Sequence, residues 1–180
     1  MINFEKFFYV DNIQNLDLEY IKNTKGKIIL KVNRKQLGFY TNFVKKCKSK
    51  KIIIYIYNDV KLLFKLKLNK LYISSFNTLL HKDLFLINKN LEIIGSAHNK
   101  REILKKIQQG CSKVILSRLF KTDKKGFLGI IKFNLISLNS HNIIALGGIN
   151  SLNYKKVRTT NALGLALRKD LINKPRYLVS

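Results

Sequence analysis

The feature that most constrains this chain is a rhythm of short, mostly apolar runs: Phe7–Val10, Lys27–Val32, Ile52–Tyr57, Leu71–Ile73, Leu91–Gly95, Lys113–Leu116, Ile143–Leu146 and Ala162–Leu167. They are apolar on both faces instead of alternating, so they predict strands of a parallel sheet covered on both sides. Segments with helical spacing lie between most of them. These are Leu16 to Asn23, the stretch carrying Leu37, Tyr40, Val44 and Cys47, and the stretch with Leu62, Leu63 and Leu66. Further on, Asn99 caps a helix with Ile103, Leu104 and Ile107 on one face and Gly110 closing it. Leu128 to Leu138 and Leu152 to Arg158 read as two more helices, and Asn77 to Asn90 is too poorly periodic for more than a short one. Strands and helices in this order predict an α/β chain, a (β/α)8 TIM barrel. Such barrels average ~250 residues, so one of 180 residues is trimmed, with helices shortened or missing. An open doubly wound sheet is the alternative arrangement. No break in composition divides residues 1 to 180 into two domains.

Composition narrows the class. With 46% apolar residues the chain is globular in make-up. No apolar run approaches the ~20 residues of a membrane helix, and Met1 to Val10 lacks a signal-peptide pattern, so a cytoplasmic protein is expected. Cys47 and Cys111 have no metal-ligand spacing and read as buried reduced thiols. The net charge of +25 is mostly lysine, dispersed along the chain among abundant Asn and Ile. An A/T-rich coding sequence supplies those three residue types, so the charge does not by itself call for nucleic acid. A basic nucleic-acid-binding protein remains the third functional reading, and a positive surface equally attracts phosphorylated small molecules.

The run Ile143 to Asn150 carries the first chemical signal. A strand ends in Gly147-Gly148, and a helix is expected from about Ser151. Glycines let a ligand approach main-chain N–H groups, and a helix N-terminus favours an anion. In a barrel the phosphate site lies after strands 7 and 8, which places Arg168 and Lys169 beside the glycine pair. A Gly-Gly turn also serves plain chain reversal.

Three further segments share one order. Ile93-Ile94-Gly95-Ser96-Ala97-His98 precedes a helix, Gly110 and an apolar strand; Phe120-Lys121-Thr122-Asp123-Lys124-Lys125 follows; Ala145-Leu146-Gly147-Gly148-Ile149 comes last. Together with Asn58-Asp59, this resembles the thiamine phosphate synthase / TenI family of (β/α)8 barrels. The resemblance implies an enzyme that joins a pyrimidine diphosphate to a thiazole phosphate, with Mg2+, releasing pyrophosphate and forming thiamine phosphate. It further implies that Asp59 holds Mg2+, while Lys35, Asn58, Ser96 and Lys125 contact the pyrimidine diphosphate. Thr122, Gly147, Gly148, Arg168 and His98 are then expected around the substrates, with Gly147 and Gly148 on the thiazole phosphate.

The match is uneven. Where the family has Gly-Gln-Glu-Asp after strand 4, this chain has Ser74-Ser75-Phe76-Asn77, so a second metal carboxylate becomes an amide. Where it has Gln-x-Arg-x-Lys at strand 2, this chain has Lys31-Val32-Asn33-Arg34-Lys35, with Arg34 one step out of register. Lys124 replaces a threonine and Arg168-Lys169 replace a small pair. These departures keep open a TenI-like reading, a thiazole-phosphate-binding tautomerase or regulator without synthase activity. Read without the resemblance, Asp59 is a helix N-cap and His98 a loop histidine.

Overall fold

A computed structural model describes residues 4–80, 82–140, 142–168 and 178. Eight parallel strands close into a barrel in chain order: β1 (Glu5–Val10), β2 (Lys27–Leu30), β3 (Ile54–Tyr57), β4 (Lys70–Ile73), β5 (Glu92–Ala97), β6 (Cys111–Ser117), β7 (Ile143–Leu146) and β8 (Gly164–Leu167). β8 returns to pair with β1, Phe7 opposite Ala166, so the sheet has no edge and the open-sheet alternative falls. Among the described residues six α-helices lie outside: α1 (Leu18–Asn23), α2 (Leu37–Ser49), α3 (Val60–Lys65), α4 (Lys82–Ile87), α5 (Lys100–Gln108) and α6 (Gly129–Ser137). No helix among the described residues is long and apolar enough to cross a membrane.

Among the described residues, the barrel is trimmed at the unit after β7. Where an α-helix is expected over Leu152 to Arg158, there is a 3-10 helix over Tyr154–Thr159. Asparagines cause the change. Asn150 Oδ1 accepts the Leu152 N–H at 2.9 Å, and Asn153 Oδ1 accepts the Asn150 N–H at 2.8 Å. Such local turns compete with the first turn of an α-helix.

Strand periodicity sorts the interior into layers. Phe7, Ile29, Tyr55, Tyr72, Ile94, Ile115, Ile144 and Ala166, one from each strand, form the central cluster. Two residues earlier lies an ionic floor. Lys27 meets Glu5 at 2.7 Å, Lys70 meets Glu92 at 2.6 Å, and Lys113 bridges Glu92 at 3.0 Å and Glu5 at 3.4 Å. Two residues later lies the C-terminal mouth, reached by Tyr9, Tyr57, Ser96 and Arg168. The larger core, between strands and helices, includes Ile21, Val44, Leu63, Ile103 and Phe133. Cys47 and Cys111 are buried and unpaired, and burial pushes both thiols up to about 12.

One helix turns a different face inward from the one its apolar residues suggest. In α5, Ile103 is buried, but Leu104 and Ile107 are half exposed and Lys106 is buried. Gly95 makes this possible: a Cβ there would come within 2.7 Å of Lys106 Cδ.

Candidate active site

The mouth is floored by aromatic hydroxyls. Tyr9 and Tyr72 meet edge to face with ring centres 5.4 Å apart, and the Tyr57 and Tyr72 rings are 5.0 Å apart. The Tyr9 hydroxyl donates to the Tyr72 oxygen at 2.9 Å, and Ser96 hydrogen-bonds Tyr72 in turn. Burial pushes both phenols up, so they stay neutral donors. These tyrosines read in the sequence as ordinary strand residues. The available signal was the position of Tyr9 and Tyr57 two residues beyond the core layer, to which Tyr72 itself belongs.

The β2–β3 edge carries the first group of site candidates. β2 ends at Leu30, and Asn33 caps a 3-10 turn over Arg34–Gln36 by accepting the Lys35 N–H at 3.1 Å. That turn swings Arg34 towards β3. Arg34 Nε and Nη2 donate to Asp59 Oδ2 at 3.0 and 2.7 Å. The other oxygen, Asp59 Oδ1, accepts the Leu62 N–H at 3.0 Å and caps α3. Asn58, at φ +51°, brackets β3 to β4: its Nδ2 donates to Ser74 Oγ and its Oδ1 accepts the Ser74 N–H, each at 2.8 Å. Lys31 and Lys35 are exposed on the same loop.

Those bonds decide how well this edge suits Mg2+. Both Asp59 oxygens are engaged, and Asn77 Oδ1 accepts the Leu79 N–H at 3.0 Å. Among the described residues no three His, Cys, Asp or Glu side chains converge to hold a metal ion. On its own, a single carboxylate already neutralised by arginine is a poor site for a divalent cation, which would need substrate phosphates and water to complete its shell.

The opposite edge, β6 to β8, is basic and glycine-rich. Gly147 and Gly148 adopt φ +104° and +68°, where a side chain is strained. The space beside them belongs to the β6 loop: a Cβ on Gly148 would lie 2.4 Å from the Lys121 carbonyl, and one on Gly147 would lie 2.9 Å from Arg118 Cβ. Phe120 N–H donates to the Gly147 carbonyl at 3.0 Å. The pair therefore seats the loop carrying Thr122 and Lys125. No α-helix follows to add its dipole, which removes the helix N-terminus expected beside the pair. Arg118 holds the loop from below, donating from Nε to the Gly126 carbonyl at 3.0 Å and from Nη2 to that of Lys125. Residues 121 to 127 line an open concavity of ≈ 400 Å³. Arg168 is two-thirds exposed at the end of β8, 3.7 Å from Asp11. Lys169 lies outside the described residues.

Two β5 candidates part company. Ser96 is buried and faces the mouth. His98 turns to α5, where its N–H donates to Glu102 Oε2 at 2.8 Å and its Nδ1 lies 3.0 Å from the same oxygen. Asn99 caps that helix and Glu102 reaches back, a reciprocal capping arrangement. His98 thus has a structural partner.

The barrel is shared by proteins of different activity. It superimposes on thiamine phosphate pyrophosphorylase from Pyrococcus furiosus with a TM-score of 0.77 at 16% identity, covering 99% of this chain and 96% of that one. The thiamine phosphate pyrophosphorylase from Bacteroides thetaiotaomicron gives 0.61 at 14% identity, over 94% and 85%. The YdjI aldolase from Escherichia coli K12 gives 0.62 at 9%, over 96% and 77%, so the likeness at this identity concerns fold alone. No curated protein matches the sequence. The sequence model of thiamine monophosphate synthase does match, over residues 31–171. That span holds the Arg34 turn, Asn58-Asp59, the Ser96 strand end, the basic loop and the glycine pair, and on it the chain belongs to the thiamine monophosphate synthase (TMP-TENI) family.

Proposed function

We propose that this chain is a transferase that joins a pyrimidine diphosphate to a thiazole phosphate, giving thiamine phosphate and pyrophosphate. The observation that carries this reading is the arrangement of charge around the mouth. One basic edge, at β2–β3, holds Lys31, Arg34 and Lys35. Another, at β6–β8, holds Lys121, Lys124, Lys125 and Arg168. β2 and β6 stand four strands apart in a closed barrel of eight, so the two edges face each other across the tyrosine floor. Two anionic substrates can each take one edge and meet over the aromatic rings.

Lys35 and Ser96 serve the diphosphate side, and Asn58 shapes that side by fixing β3 to β4. Thr122, Lys125 and the loop seated on Gly147 and Gly148 serve the thiazole phosphate. The bond from the pyrimidine methylene carbon to the diphosphate oxygen breaks, its electron pair leaving with pyrophosphate. The thiazole nitrogen then forms the new bond to that carbon. The protein contributes positioning and charge neutralisation, with no nucleophile of its own. Pyrophosphate release from both substrates tests the proposal, and no release overturns it.

The engaged Asp59 carboxylate favours a second reading, a thiazole-phosphate binder without transferase activity. It requires the thiazole phosphate, and not the pyrimidine diphosphate, to raise the melting temperature.

A further inference from the structure

We infer that Arg34 takes the place of a metal ion: the β2–β3 edge binds the phosphate groups of a diphosphate through the Arg34 guanidinium, without a divalent cation. The inference rests on the transferase reading for the ligand's identity, but not for its binding chemistry. Asp59, the one carboxylate expected to hold Mg2+, gives Oδ1 to the cap of α3 and Oδ2 to two N–H groups of Arg34. Where a second carboxylate is expected, Asn77 has its side chain on Leu79 N–H and its carbonyl on Lys106 and Gln109. Among the described residues no group of three or more His, Cys, Asp or Glu side chains could hold a metal ion.

Charge and exposure point the same way. The Arg34 side chain is 68% exposed and that of Asp59 20%, so the cation is the member of the pair that faces solvent. Asp59 takes the Nε–Nη2 side of the guanidinium. The Nη1–Nη2 edge is turned away from it, and that edge is the fork that matches two phosphate oxygens. A guanidinium held by a carboxylate is pre-oriented, so less side-chain freedom is lost on binding. Lys31 and Lys35 flank it on the same loop. A metal at Asp59 would have to displace Arg34 from Oδ2 and add positive charge to an edge already rich in it.

Calorimetry with inorganic pyrophosphate on the full chain, in EDTA and again in excess Mg2+, tests this. The expected dissociation constants agree within about threefold, and Arg34→Gln weakens binding about tenfold or more in both buffers. In Asp59→Asn, which keeps the α3 cap because asparagine caps a helix as well as aspartate does, the constants in EDTA and in Mg2+ again agree within about threefold of each other. Circular dichroism on each variant confirms that it is folded. Binding that requires Mg2+, no binding in either buffer, or Arg34→Gln equal to wild type overturns the inference. Pyrophosphate binding in EDTA without turnover of the two substrates overturns the transferase proposal and leaves this one standing. Turnover with pyrophosphate binding lost in EDTA does the reverse.

Discussion

The Nζ of Lys106, on α5, donates to the Ser74 carbonyl oxygen at 2.7 Å, tying the outer helix to the end of β4. The same Nζ reaches the Asn77 carbonyl and Gln109 Oε1, at 2.7 and 2.8 Å. A buried lysine without a carboxylate partner is costly, and burial lowers its pKa. Three oxygen acceptors keep it charged in place. Lys106→Met removes one donor from each of the Ser74 and Asn77 carbonyls and from Gln109 Oε1, and is expected to cost ~2–3 kcal/mol in urea unfolding. Gly95→Ala forces its Cβ to within 2.7 Å of Lys106 Cδ and 2.9 Å of Cys111 Sγ, and should cost ~1–3 kcal/mol by overpacking.

Acid should weaken the barrel floor. Burial pushes the Glu92 carboxyl up, but hydrogen bonds and charge from Lys70 and Lys113 outweigh it and bring the group from 4.5 down to about 2. A carboxylate whose pKa is lowered by folding stabilises the protein above its unfolded pKa and stops doing so as pH falls through its folded pKa. The stabilisation, on the order of 2–3 kcal/mol, is therefore present above about pH 4.5 and lost between there and about pH 2. Denaturant unfolding of Glu92→Gln against wild type across this window should show the two converging as the pH falls. Parallel curves would rule out Glu92 as the source.

Gly148→Ala tests whether the glycine pair seats the β6 loop. A Cβ on this residue meets the Lys121 carbonyl at 2.4 Å and the Phe120 carbonyl at 2.8 Å, and φ is +68°. Neither backbone group can yield without moving the loop. The variant is expected to lose ~1–3 kcal/mol and to be cut by trypsin faster than wild type at Lys121, Lys124 or Lys125. Mapping the first cleavage sites by mass spectrometry decides it.

Asp59 has a structural role separable from any ligand. Asp59→Ala removes the acceptor for the Leu62 N–H and should cost ~1 kcal/mol. Asp59→Asn should cost a few tenths at most. A thermal melt of both variants without ligand measures the difference; equal losses would mean that the Arg34 ion pair, and not the cap, carries the effect.

Much of the fold was legible in the residues. Strands such as Ile54–Tyr57 and Ile143–Leu146 are apolar on both faces, and only a parallel sheet with covers on both sides buries such runs. The α2 face of Tyr40, Val44 and Cys47 was equally plain, because a face of ordinary apolar residues needs no partner named in advance. The α5 face was misleading. Its two half-exposed apolar residues, Leu104 and Ile107, mimic a core stripe, while the buried Lys106 depends on space left by Gly95 on a different element.

The candidate site divides along the same line. Ser96 and Arg168 sit at the mouth because strand alternation puts them there, two residues beyond Ile94 and Ala166 of the central cluster. The sequence by itself determined the strand count, the α/β class with a parallel sheet, and the residues available at each strand end, since these follow from periodicity and chain order; closure into a barrel came from the pairing of β8 with β1. Only the tertiary structure decided what those residues are bonded to. Arg34 reaches an acid 25 positions away, Asn58 spends its amide on a serine 16 positions away, and the space beside the glycine pair is filled by the chain's own loop. Each partnership depends on where a turn ends and which strand lies next to it. Local spacing carries no record of that, because it is fixed only when the barrel closes.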